Sequence, residues 1–370
     1  MSTRPRHLVP VALAVALAFV VSGCTGDPGP DESPTPTVTD NRPLAELDLL
    51  ADPRSAEGPA TAVLTSEAVD PVATDPVQNL PATVVSYDAS GERTVTVDDT
   101  SRVVALDIAG SIAATVWGLG FGDSLVGRDV STTFPGTEDL PIITSNGHTV
   151  DAEAVLALRP TLVIADGSIG PRDVLAQLRE AGVAVVFVAT DPSFTGAADL
   201  ARQVAAAFGA EETGELLADR IETEVELKVA EIAAIIPTDP DDRVRMMFLY
   251  LRGGSGVYYL FGEESGADEL IAGLGGVDVA AEIGWVGMRP MTDEAIVAAD
   301  PDLILVMTDG IASAGGVAGL LAEKPALALT RAGRYERFVD IADGDVLGFG
   351  PRSAAVLDAL ARAIYATPGS

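Results

Sequence analysis

The sequence predicts an α/β protein built as two Rossmann-like lobes joined by one long rigid α-helix. Three observations lead there. From residue 93 onward, short apolar runs alternate with amphipathic helical stretches, the pattern of parallel strands with helices between them. From Glu211 to Ile236, EETGELLADRIETEVELKVAEIAAII keeps one helical pattern until Pro237-Thr238-Asp239-Pro240 stops it. The second half also echoes the first. VDAEAVLALRPTLVI, starting at Val150, aligns with MTDEAIVAADPDLIL, starting at Met291, with Glu, Ala, Ala, Pro and Leu at the same offsets.

Taken in order, the chain opens with Arg4, Arg6 and His7, followed by an apolar run from Leu8 to Val21 and then Ser22-Gly23-Cys24. This is the layout of a secretory leader over residues 1–23, with an apolar run short for a membrane span. Cys24 is the only cysteine among 370 residues, which excludes an internal disulfide and a multi-cysteine metal site. Val-Ser-Gly-Cys resembles a bacterial lipobox, and that resemblance implies lipidation of Cys24 and anchoring on the outer face of the membrane. Residues 24–45, rich in Pro, Asp, Thr and Gly, read as a disordered tether. Residues 46–92 hold apolar stretches without a clear period and read as an N-terminal extension packed on the main body. The formal charge is −32, and it becomes −34 once Arg4 and Arg6 leave with the leader. Such a surface excludes nucleic acid as a partner.

In the N-terminal lobe, residues 93–210, TVTVDDT and RVVALD read as strands, AGSIAATVWGLG as a helix and SLVGRD as a short strand. DAEAVLAL is a helix that Asp151 can cap and Arg159-Pro160 stops. TLVIAD, PRDVLAQLREAG and VAVVFVA follow as strand, amphipathic helix and strand. The connecting helix takes residues 211–240. In the C-terminal lobe, residues 241–370, VRMMFLYL is a strand, GADELIAGLGG and DEAIVAAD are helices, and PDLILVM is a strand. The cleft between such lobes is the expected ligand site.

Some single residues stand out within this frame. His148 is the only histidine left once the leader with His7 is removed. It precedes a helix start, whose positive end disfavours imidazolium, although a solvated loop histidine would look the same. Positions two apart on a strand share a face, so Phe248, Tyr250 and Arg252 point the same way. A guanidinium beside a phenol favours the phenolate; a Tyr and an Arg reaching to the surface from a strand end is the plainer reading. Tyr258 and Tyr259 are rivals to Tyr250. Met307 ends a strand, where it serves a cleft or packs in the core.

Together these features resemble the helical-backbone substrate-binding proteins of ABC importers. LVGRDVSTTFPG, GHTVDAEAVLALRPTLVIAD, FLYLRGGSGVYYLFG and GFGPRSAAVLDALARAIY resemble the haemin-binding lipoproteins of actinobacteria, the HmuT type, over residues 93–370. The resemblance implies haem as the transported ligand, held by His148 and Tyr250 on the iron, with Arg252 and Met307 in support. It makes Trp285 and Met288 candidates for the porphyrin wall, and Arg128, Arg172, Arg289 and Arg352 candidates for the propionates. It implies delivery to an ABC permease with its ATPase, and surface proteins as haem donors. Glu269 fits the glutamate with which such lobes dock on the permease, whereas the matching position of the first lobe holds Ala114.

Three other readings compete. The same fold could carry a ferric siderophore or cobalamin. A secreted hydrolase would need a nucleophile, but the sequence has no Gly-x-Ser-x-Gly elbow, no His-x-x-x-His and no Cys/His cluster. A purely structural lipoprotein fits poorly with two lobes and a rigid hinge. The expectation is a binder, not an enzyme.

Overall fold

The computed structural model describes residues 42–367 apart from residues 89, 90, 146 and 347. The leader and Cys24 lie outside them.

The N lobe is built on four parallel strands. Val103–Leu106 has Leu125–Gly127 on one side and Leu162–Ala165, then Ala184–Phe187, on the other. Every residue of Val103–Leu106 and of Leu162–Ala165 is buried. Helices cover both faces of the sheet, so its strands read as unbroken apolar runs. Val103, Ala105, Leu162 and Ile164 face the helices Ser111–Gly118 and Phe194–Ala207. Val104, Leu106, Val163 and Ala165 face Ala152–Ala157 and Arg172–Glu180.

The C lobe holds a mixed sheet. Ala60–Ala62, Phe338–Ile341, Leu303–Met307 and Arg245–Arg252 lie side by side and parallel. Val257–Phe261 and Met288–Pro290 extend it antiparallel, and Val277–Asp278 pairs with the start of Arg245–Arg252. The connecting helix, Glu211–Ala233, belongs to both lobes. Its Leu217, Ala218 and Ile221 enter the N-lobe core, and its Val225 and Ile232 enter the C-lobe core.

The repeat in the sequence carries through to the backbone. Ala152–Ala157 and Asp293–Ala299 are capped by Asp151 and Thr292, and each leads to a strand. The residues that end the two units, Arg159 and Asp300, are at matching positions and have φ of 50° and 39°. Each is followed by a buried proline, which cannot continue a helix.

The N-terminal extension supplies a second crossing between the lobes. Leu44, Leu47, Ala62 and Leu64 sink into the C-lobe core, where a fully buried leucine contributes about 1.5–3 kcal/mol. Leu50 and Thr367 make backbone bonds of 2.8 Å that tie this segment to the last helix, Ser353–Tyr365, and the residues after it. A few residues on, Val69 enters the N-lobe core and Val72 N–H donates to Gly118 at 2.8 Å. The hairpin of Ala82–Asp88 and Gly91–Val97 then lies against Ala184–Phe187, with the Ser86 hydroxyl accepting from Phe187 N–H at 2.8 Å.

Candidate ligand-binding site

His148 sits on the N lobe at the C-terminal ends of the strands. It belongs to the turn of a small hairpin, Thr144–Ser145 with Thr149–Val150. Thr149 bridges Gly170 in the loop after Leu162–Ala165, and Ile142 bridges Arg128 just after Leu125–Gly127. The hairpin is therefore pinned to two strand ends. The helix begins later, where Asp151 accepts from Glu153 N–H at 2.9 Å and Ala154 N–H at 3.1 Å. The imidazole is half-buried, and its Nδ1 is buried without a protein partner. Buried nitrogens are seldom left unpaired, so an external partner would complete this one.

Tyr250 lies on the C-lobe sheet, with Tyr259 directly across from it and Phe248 paired with Phe261. Its ring stacks on Phe261 with 6.0 Å between centroids and 16° between planes. The Arg252 guanidinium lies over the Tyr250 ring, 4.8 Å from its centroid, which is a cation–π contact. Its hydrogen bonds go to Asp343 Oδ2 at 2.6 Å and to Leu251 O at 3.0 Å. Met307 packs on the same face from the neighbouring strand, half-buried. Met288 pairs with Phe261, which puts it on this face too, and it is 62% exposed.

Alternation along the strands takes other expected residues away. Tyr258 points to the opposite face, where its hydroxyl bonds Glu323 and Lys324 lies over its ring at 4.2 Å. Burial and Glu323 push its phenol up to about 12. Tyr258 is thus no rival to Tyr250, whereas Tyr259 stays beside it. Trp285 packs against the cluster of Met247 and Leu260, again on the opposite face, and its Nε1 donates to Leu260 O at 3.0 Å. Arg289 pairs with Leu260 and shares that parity.

The other arginines divide. Arg352 is engaged with Asp345, donates to Gly344 O at 3.1 Å and lies over the Phe134 ring at 5.7 Å, so it ties the lobes together. Arg128 donates to Thr132 O at 3.0 Å, while its Nε is buried without a partner. Arg172 begins a helix, and its side chain lies outside the described part. Glu269 is exposed in the first turn of Ala267–Gly273. Partial burial, with Asp268 and Asp191 nearby, raises its carboxyl above the usual range. Ala114 is 4% exposed, so that position offers no docking surface.

The sequence reading missed an apolar set on the N lobe. Ile108, Val130 and Ile142 are 52%, 41% and 50% exposed, and all three sit in the loops that follow Val103–Leu106 and Leu125–Gly127. The available signal was an apolar residue just past a strand and an acid, as in ALDIAG and GRDVST. Two buried acids shape these loops. Asp107 accepts from Ser111 N–H at 2.8 Å and Ile112 N–H at 3.2 Å. Asp129 accepts from Ser131 N–H at 2.7 Å and Thr132 N–H at 2.9 Å. Burial pushes the Asp107 carboxyl well above its ordinary value, with Asp129 and Asp166 adding to the rise. Burial also raises that of Asp129, against the pull of its backbone donors.

The N lobe thus presents a surface of exposed aliphatic groups with one imidazole, and the C-lobe sheet a surface of aromatic and thioether groups with two phenols, Tyr250 and Tyr259. Among the described residues, no cluster of three His, Cys, Asp or Glu could hold a bare ion. Two α/β lobes hinged on a helix, with such a surface, define a two-lobed ligand-binding protein. The chain belongs to the periplasmic binding protein family, whose profile matches residues 103–343. It is a substrate-binding protein, not an enzyme. It is similar to the crystal structure of the heme binding protein HmuT, with 40% identity and a TM-score of 0.79, covering 85% of this chain and all of that one. The periplasmic heme-binding protein RhuT from Roseiflexus sp. RS-1, in apo form, is 37% identical with a TM-score of 0.65, over 72% of this chain and 98% of that one. The uncharacterized ABC transporter substrate-binding lipoprotein YvrC of Bacillus subtilis (strain 168) is 27% identical over 281 residues, 75% of this chain and 84% of that protein.

Proposed function

We propose that this protein is a haem-binding lipoprotein that delivers ferric haem to an ABC permease and its ATPase. The leader would end before Cys24, whose lipid would hold the protein on the outer face of the membrane, within reach of surface haem donors. Tyr250 and His148 ligate the iron, Arg252 supports the phenolate, and Met307 and Met288 contact the ring. Ile108, Val130 and Ile142 supply the opposing apolar wall. Arg128, with an unpaired guanidinium nitrogen, suits a propionate better than Arg352, whose charge is already met by Asp345.

The observation that carries this reading is the Tyr250–Arg252 pair, a phenol on an aromatic sheet face under a guanidinium. The phenol is held on a rigid sheet face, and phenolate oxygen is a known axial ligand of haem iron. The relatives add support. HmuT has also been crystallised as alanine variants at a histidine, at a tyrosine and at the arginine two positions after that tyrosine.

A haemin titration of residues 25–370, read by visible absorbance, tests the reading. The expected result is a saturable Soret shift at one haem per chain. Absence of any shift would reject haem and turn the search to ferric siderophores and cobalamin.

A further inference from the structure

Arg252 is held from several sides. One of its terminal nitrogens donates to Leu251 O at 3.0 Å and the other to Asp343 Oδ2 at 2.6 Å. Gly310 closes the space beside it, since a Cβ there would lie 3.1 Å from the guanidinium and 2.9 Å from Leu251 O. The other oxygen of Asp343 accepts from Asp309 N–H at 2.9 Å, which fixes the carboxylate on the first turn of Thr308–Ser313. Asp343 thus acts as a bracket between a helix start and the cation over Tyr250. The ion pair is partly exposed, with 33% and 20% of the two side chains accessible, so it adds little to stability. Its effect is on orientation. A guanidinium on a long flexible stem would otherwise sample many positions over the ring.

The next residue lies against the other lobe, and the one after it holds an arginine that does. Gly344 lies so close to the N lobe that a Cβ would stand 2.8 Å from Thr133 Oγ1 and 2.9 Å from Ser131 O. Asp345 bonds Arg352, which rests over Phe134 of the N lobe. Three consecutive residues therefore join the cation at Tyr250 to the surface where the lobes meet.

We propose that Asp343 is a positioning residue for iron ligation by Tyr250, holding Arg252 over the phenol ring at a place set by the contact of Gly344 with the N lobe. This rests on the haem reading above. Lobe separation would shift Asp343, loosen Arg252 and weaken the tyrosine ligand, so the cargo is held more loosely when the cleft is forced open.

The test uses ferric haem bound to the soluble mature chain and two readouts: the phenolate-to-iron charge-transfer band, and the rate of haem transfer to excess apomyoglobin. Asp343→Asn keeps an oxygen for Asp309 N–H but loses the charged acceptor for Arg252. It is expected to shift the band and speed transfer roughly fivefold, as for one lost charge-assisted bond. Asp343→Glu is expected to restore part of both. Asp343→Asn is expected to add little to Arg252→Ala, because the two act through one group. Gly344→Ala, which must displace the loop without touching Arg252, is expected to change both readouts in the same direction. An unchanged band and rate in Asp343→Asn, or full additivity with Arg252→Ala, would overturn the positioning role. Wild-type behaviour of Gly344→Ala would overturn the link to the N lobe. A wild-type chain that takes up no haem at all would overturn the functional reading itself, a result distinct from any of these.

Discussion

Two buried carboxylates of the N lobe and two of the C lobe are met in opposite ways. In the N lobe, Asp107 and Asp129 are 2% and 0% exposed and are met by backbone N–H groups; among the described residues neither has a cationic partner. In the C lobe, Asp302 is 3% exposed and receives Arg54 at 2.9 Å and Arg331 at 3.2 Å. Asp358 is 5% exposed and receives Lys228 at 2.7 Å and Arg362 at 2.6 Å. The N-lobe acids shape the loops that border the site, and the C-lobe acids fasten elements distant in sequence. A carboxylate without a cation shapes a loop at the expense of an acid-sensitive charge, whereas a paired one acts as a clamp.

This contrast breaks most sharply at Asp302, where the extension, a strand and a helix meet. Asp302→Ala removes the acceptor of Arg54, Arg331 and Arg245 N–H together. It is expected to cost about 3 kcal/mol in urea unfolding, since it removes the one buried acceptor on which three donors converge. Loss below 1 kcal/mol would mean that the extension is held by its leucines alone.

The lobes also differ in how they carry the two proposed iron ligands. Tyr250 stands on a central strand, whereas His148 rides on a hairpin turn. A strand-borne ligand is held more rigidly, so Tyr250→Ala is expected to lower haem affinity on the order of 100-fold, and His148→Ala about tenfold. Met307→Ala is expected to lower it only about twofold, because a thioether is a weak partner that also packs in the core. Equal losses in these titrations would erase the distinction between strand and turn.

The smallest effect concerns acidity. Burial raises the folded pKa of Asp107 above its ordinary value of 3.8, so the folded state binds more protons over the interval above it. Stability from this group is therefore greatest in acid and falls as pH rises from about 4 through the folded value. Asp107→Asn is expected to flatten the dependence of Tm on pH over that interval by a few degrees. An unchanged slope would show that other groups govern it.

Much of this was legible in the sequence, and the omissions have physical causes. VRMMFLYL, GADELIAGLGG and PDLILVM announce the elements at Arg245–Arg252, Ala267–Gly273 and Leu303–Met307, because their signals are local. The elements within the extension were not legible. Ala60–Ala62 is a strand only because Val339–Ile341 pairs with it from near the other end of the chain. His148 was expected at a helix mouth but sits in a hairpin. The turn signal was Asn-Gly at 146–147, with Gly147 at φ 85°, yet the strands beside it are two residues long and show no alternation. Trp285 lies in a loop and Met288 begins a strand, and nothing in the spacing of GWVGMRPM separates the two faces of the sheet.

The extension leaves the C lobe at Leu64 and joins the N lobe at Val69, while the helix Glu211–Ala233 makes its own passage. A body joined to another at one point can swing and twist freely. Joined at two, it turns only about the line between them, as a door does on its pins. Opening is thereby reduced to one angle, and a partner pulling the lobes apart would have its effort directed into that single movement rather than lost in torsion.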